Sequence, residues 1–355
     1  MRRSAALGVV LAFAALHVAP AASADGPAAT PPDGGGTAEA ADPLFRITDE
    51  RIRESSGLAT SHRHDGVYWT HNDSGAYGPE IYAVDEQGRT LATVSLVGEG
   101  VEARDWEAVS VGPGEDGEPA VYVGDIGDNF QGGWPSIRVY RLPEPRDLTD
   151  QTVQATTFTF VYEDGGRDAE AMMVDSGDGR LYVLSKEVAG GVYAAPEQLD
   201  AEGTNTLTRV DSAPLYATDA AFSPDGAYYA VRTYWSASVY DASEGVRGRV
   251  ADRVSLPESE QGESLAFSHD GSALLAGTEG AGSPVWRVPL DLPAADGEDS
   301  SAEPQGEADN GAGAGGAAAD TDESGAGAQA AILIWIGAGL AALVIAAIIL
   351  LARRG

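Results

Sequence analysis

Four short apolar runs in this chain open on a carboxylate: Glu107 in EAVSV, Glu170 in EAMMV, Asp219 in DAAFS and Glu263 in ESLAF. A fifth run, GLAT, follows Ser56, with Glu54 just before it. If these runs are equivalent strands, their opening residues converge. An acidic ring of Glu54, Glu107, Glu170, Asp219 and Glu263 then forms around one mouth. Several carboxylates a few ångströms apart in low dielectric cannot all stay ionised without partners. Protons, basic side chains or a metal must balance them. Oxygen donors without cysteine suit Ca2+ better than Zn2+, so Glu107, Glu170, Asp219 and Glu263 are candidate metal ligands. The next strands end in candidates for contact with a ligand or an anion: His71, Asn72, Asp73, Asp125, Asp128, Asn129, Lys186, Glu187, Arg232 and Glu279. Acidic residues at strand starts can instead cap backbone amides of a neighbouring sheet, and the sequence leaves both roles open.

The elements that must position these residues are short strands. In 104–129, RDWEAVSVGPGEDGEPAVYVGDIGDN, alternation in EAVSV and AVYVG marks two half-buried strands around a Gly-rich turn. The pattern recurs, giving units at 56–97, 107–163, 170–212, 219–256 and 263–290, punctuated by Asp-Gly turns. Repetition of this kind predicts an all-β fold, a β-propeller of about five four-stranded blades. A pair of β-sandwiches is the competing architecture. A sixth unit would have to come from 143–169 or 197–218. The fifth unit has only three strands, and LFRITDERI at 44–52 is the expected donor of the fourth, closing the ring without an open edge. Trp69, Trp106, Trp134, Trp235 and Trp286 fall in or beside strands and are expected to pack in the core and between blades.

The ends of the chain read differently. Residues 1–24 have Arg2 and Arg3, an apolar run and Ala22-Ser23-Ala24, the pattern of a secretory signal. Residues 25–42 are too poor in large apolar side chains to offset chain entropy and are expected to be disordered. The folded region is 43–293. An acidic Gly/Ala-rich stalk follows at 294–330, then an uncharged apolar stretch at 331–352 before Arg353 and Arg354. That stretch is long enough for a transmembrane helix, and the arginines place the 353–355 tail in the cytoplasm. The expected address is the cell membrane, single-pass, with the folded part extracellular. The chain has no cysteine, so it must hold together without disulfides. Its formal charge of -33 excludes nucleic acid as a partner and disfavours anionic membrane surfaces. Lys186 is the sole lysine.

Ser-Gly-Leu, WTHNDSG, DWEAVSVG, VYVGDIGDN, VYRLPEP and DAEAMMVD together resemble a group of secreted bacterial β-propellers related to phytase-like, esterase-like domains and to WD40-type propellers. The resemblance is best over 50–187 and weaker over 219–290, where SPDG and SHDG are similar to WD40-like turns. It implies either a scaffold or a metal-assisted hydrolase of a phosphorylated or esterified substrate. Calcium-dependent propeller phytases hold phosphate with several basic residues, whereas this chain offers Lys186, Arg232 and Arg104. No G-x-S-x-G, H-E-x-x-H or P-loop is present. The expectation is therefore a monomeric binding or scaffold module for an extracellular protein or small molecule, with Ca2+ at the mouth. Hydrolysis is the alternative.

Overall fold

The computed structural model describes residues 42–73, 77–130, 132–259 and 261–292. These residues form strands and turns, with no helix among them. The expected signal, stalk and membrane helix lie outside the described residues.

Strand β1 (Phe45–Arg46) precedes five antiparallel meanders. The first is β2 (Leu58–Thr60), β3 (Val67–His71), β4 (Glu80–Asp85) and β5 (Thr90–Val97). The second is β6 (Trp106–Pro113), β7 (Pro119–Asp125), β8 (Ile137–Pro143) and, after a short β9 (Gln151–Gln154), β10 (Thr156–Tyr162). β11 (Ala169–Val174), β12 (Leu181–Ser185), β13 (Gly191–Ala194) and β14 (Thr204–Ser212) make the third. The fourth consists of β15 (Ala217–Phe222), β16 (Tyr228–Thr233), β17 (Ser236–Asp241) and β18 (Val250–Ser255). The fifth has three strands, β19 (Gly262–Phe267), β20 (Ala273–Thr278) and β21 (Pro284–Pro289). No sixth meander occurs among the described residues.

The first strands are buried along most of their length, and each touches the next: β2, β6, β11, β15, β19 and again β2. Apolar layers fill the spaces between neighbouring meanders. Trp69 and Trp106 lie between the first and second, and Phe158, Phe160 and Met172 between the second and third. Met173 and Phe222 lie between the third and fourth, and Val239 and Phe267 between the fourth and fifth. Trp235 does not join the core as expected: it is 65% exposed. Two of the turns repeat closely. Gly226 in SPDG and Gly271 in SHDG take φ of 70° and 69°, which a side chain would oppose.

β1 pairs antiparallel with β21, Phe45 opposite Val285, so the N-terminal segment supplies the fourth strand of the last meander. Phe45, Ile47 and Ile52 are buried against Leu58, Tyr68 and Leu275. Leu44, the first residue of the expected strand donor, is 42% exposed because the short pairing leaves it beyond the strand.

Two pairings were not legible in the repeat. β10 runs parallel to β14, which joins the second and third meanders into one eight-stranded sheet. The end strands of that sheet, β6 and β11, also touch, so it is nearly closed and barrel-like. β9 runs parallel to β5 as a fifth strand of the first sheet. Both pairings satisfy backbone groups that an outer strand would otherwise leave open. The repeat pattern records only local antiparallel neighbours.

Candidate functional site

One residue is inserted near the start of each of three inner strands. Trp106 faces Asp125 and Ala108 faces Gly124, so Glu107 has no cross-strand partner. The same slip isolates Glu170 between Ala169 and Ala171, and Thr218 between Ala217 and Asp219. In β19, Glu263 and Ser264 stand together opposite the interval between Thr278 and Ala276. A bulge re-aims the extra side chain, and here it turns Glu107, Glu170 and Glu263 toward one mouth of the ring. A Cβ on Gly277 would lie 2.3 Å from Ser264 Oγ, so a side chain opposite this bulge would force that hydroxyl to turn away.

Asp219 departs from the expected ring. Thr218 holds the bulged position, and Asp219 lies one residue deeper, fully buried. Its carboxylate accepts from the Ala220 amide at 2.8 Å and the Leu265 amide at 2.6 Å, tying β15 to β19. This is the amide-capping role that the sequence had left open. Grouping the runs by their opening carboxylate placed Asp219 with Glu107, and only the pairing register separates them.

The mouth is short of positive charge. Lys186 donates to Glu170 and lies 5.0 Å from the centre of the Tyr234 ring. Burial pushes Glu170 up to about 8, against the pull of Lys186 and with a further push from Glu263. Burial also raises Glu263 to about 7, again opposed by Lys186. Glu107 is pushed well above the carboxylate range by burial and by its neighbours Glu170, Asp73 and Asp105. Glu170 Oε2 is buried with no hydrogen-bond partner. Glu279 accepts from Ser56 Oγ at 3.1 Å and Gln261 Nε2 at 2.8 Å. Glu54 sits at the edge, raised by burial and by Asp73.

A tighter group lies to one side. Asp73, Asp105 and Glu107 each offer an oxygen within 4.8 Å of the others. Asn129 Nδ2 holds the Asp105 carboxylate at 3.2 Å to both oxygens. A Cβ on Gly127 would lie 2.7 Å from Glu107 Oε1, so the second glycine of GDIGDN lets the chain pass this close. Three carboxylates and no imidazole or thiolate suit a hard cation such as Ca2+, which takes further oxygens from water or a ligand. This is not the expected ligand set of Glu107, Glu170, Asp219 and Glu263. Glu170 is engaged with Lys186 and Asp219 with backbone. Asp105 was missed, although it stands two residues before Glu107 in the Asp-Trp-Glu run.

Most of the remaining candidates build the frame. Asp125 accepts from the Asp105 amide at 2.9 Å and from Tyr140 Oη at 3.1 Å, with Arg104 3.6 Å away. Asp128 shapes its loop by accepting from the amides of Phe130 and Trp134. Asn72 accepts from the amides of Arg53 and Glu54. Buried His71 is held through Nδ1 to the Asn72 carbonyl oxygen at 2.9 Å, and burial lowers its pKa. Glu187 accepts from Ser185 Oγ at 3.0 Å and pairs with Arg167. Arg232 is buried and donates to the Ser264 and Gly277 carbonyl oxygens at 2.7 and 2.8 Å. Burial lowers it to about 10, with Glu263 and Asp219 opposing. Neither Lys186 nor Arg232 is therefore held ready for an anion.

No family model matches the chain, and no curated protein matches it.

Proposed function

We propose that this chain is a five-bladed β-propeller that acts as a binding module at the cell surface, its acidic mouth receiving a cation or a cationic group. The propeller reading is supported by five meanders whose first strands touch in sequence, with β1 completing the last. The membrane address rests on the composition of 1–24 and 331–352. The observation that carries the binding reading is the excess of buried carboxylate at the mouth, where Glu107 accepts no hydrogen bond from the described residues and Lys186 serves several acids. Ca2+ at Asp73, Asp105 and Glu107 is one occupant of this kind. Binding is favoured over phytase-like hydrolysis because Lys186 and Arg232 are committed to Glu170 and to backbone carbonyls.

A cation that binds only the folded chain raises its stability, by about 2.7 kcal/mol at ~100 times the dissociation constant. The test is a thermal melt of the chain in chelator, in calcium and in arginine amide. A rise with either cation that Glu107→Gln removes supports the reading. Equal melting temperatures in all three conditions discard it.

A further inference from the structure

The acidic mouth does not stand alone on its side of the ring. β7, β12 and β16 run antiparallel to the inner strands, so the loops after them emerge where Glu107, Glu170 and Glu263 begin. Those loops carry Phe130, Val188 and Trp235, which are 70%, 71% and 65% exposed. Leu215, 45% exposed, precedes β15 at the same end. Half of the large apolar side chains exposed among the described residues thus gather around this mouth.

Direct contacts connect the rim to the well. Trp235 meets Tyr234 edge-on at 5.7 Å, and Tyr234 lies beneath Lys186, the partner of Glu170. Phe130 meets Trp134 edge-on at 5.4 Å, and Asn129 beside it holds Asp105. Within the well, Glu170 Oε2 is buried without a partner, and Glu107, 9% exposed, accepts no hydrogen bond from the described residues. Lys186 shows the chemistry the mouth accommodates, a cation between a carboxylate and an aromatic face.

We infer that the rim and well form one docking surface for an extended polypeptide segment of another protein, in which Arg or Lys alternates with apolar residues. The inference rests on the cation-binding reading above and names its partner. A small cation would fill the well and leave Phe130, Val188 and Trp235 in water. An anionic membrane is repelled by the formal charge of -33. An extended chain advances about 3.3 Å per residue with side chains on alternate faces, so it can send basic groups to Glu107 and Glu170 while its apolar groups cover loops of three meanders.

The probe is a fluorescein-labelled octapeptide of alternating Leu and Arg, titrated with the full chain and read by anisotropy. Saturable binding is expected, together with a blue shift of tryptophan emission that Trp235→Ser removes. Glu107→Gln and the double variant Phe130→Ser/Trp235→Ser should each weaken binding at least tenfold. The rim residues are exposed, so the double variant keeps the fold. Equal binding by that variant, or by an octapeptide of alternating Gly and Arg, overturns the inference by showing that charge alone suffices. If neither peptide binds while calcium or arginine amide still stabilises the chain, the polypeptide partner is refuted and cation binding stands. If the cations also fail, both readings are refuted.

Discussion

Glu263→Gln tests the charge state of the mouth most directly. Glu263 is 6% exposed, and burial raises its pKa from 4.5 to about 7 despite Lys186 nearby. The groups acting on it are Lys186 on the third meander, Arg232 on the fourth, Glu279 on the fifth and Asp73 on the first. A carboxyl raised on folding binds its proton more tightly in the folded state. Its contribution to stability is whole below about pH 4.5 and is lost as pH rises through 7. At ~1.4 kcal/mol per unit, the loss above pH 7 is roughly 3 kcal/mol, while at pH 5 it is under about 1 kcal/mol. Glutamine keeps the shape of the protonated acid and cannot ionise. Urea unfolding in chelator, at pH 5 and pH 8, should therefore show the variant close to the parent at pH 5. At pH 8 the variant should be more stable by roughly 2–3 kcal/mol. An equal difference at the two pH values, or a variant less stable at pH 8, would refute the claim that Glu263 is held against its charge.

Three further outcomes are expected. Ile47→Ala, which empties part of the layer under β1, should cost ~2–5 kcal/mol by denaturant midpoint; a loss below 1 kcal/mol would mean that the closing segment is not anchored there. Lys186→Met removes the cation beside Glu170, and its destabilisation should grow between pH 6 and pH 9 as that acid loses its proton; a pH-independent effect would count against the pair. Asp219→Ala leaves the Ala220 and Leu265 amides without their acceptor and should cost ~1–3 kcal/mol for each buried donor. Slowed amide exchange at Leu265 in that variant would contradict the bridging role.

The acidic mouth was partly legible in the chain. Glu107, Glu170 and Glu263 each open an apolar run; Glu107 and Glu170 occupy the inserted position of their strands, and Glu263 shares that of β19 with Ser264. Asp219 opens its run in the same way, but strand pairing puts Thr218 in the bulge. A one-residue slip is invisible when both neighbours are polar, because register depends on the partner strand. Asp105 and Trp235 illustrate the same limit. Asp105 becomes part of the cluster only when its loop is brought beside Asp73 from another meander, and Trp235 stays out of the core because it falls in the turn between β16 and β17.

The sequence by itself determined the all-β class, the boundaries of most strands and the donor of the closing strand. Period-2 alternation and Asp-Gly turns act over a few residues, and each meander is a local antiparallel structure. Tertiary structure alone decided the parallel β10–β14 and β5–β9 pairings, which join residues far apart in the chain, as in Thr159 with Thr204 and Val94 with Gln151. It also decided which acids are neutralised. Lys186 and Tyr234 follow directly on β12 and β16 and Glu170 lies in β11, and only their packing gives the one lysine Glu170 to pair with while Glu107 is crowded by Glu170, Asp73 and Asp105. Charge balance in a buried site depends on distance through space, and the order of residues along the chain does not carry that distance.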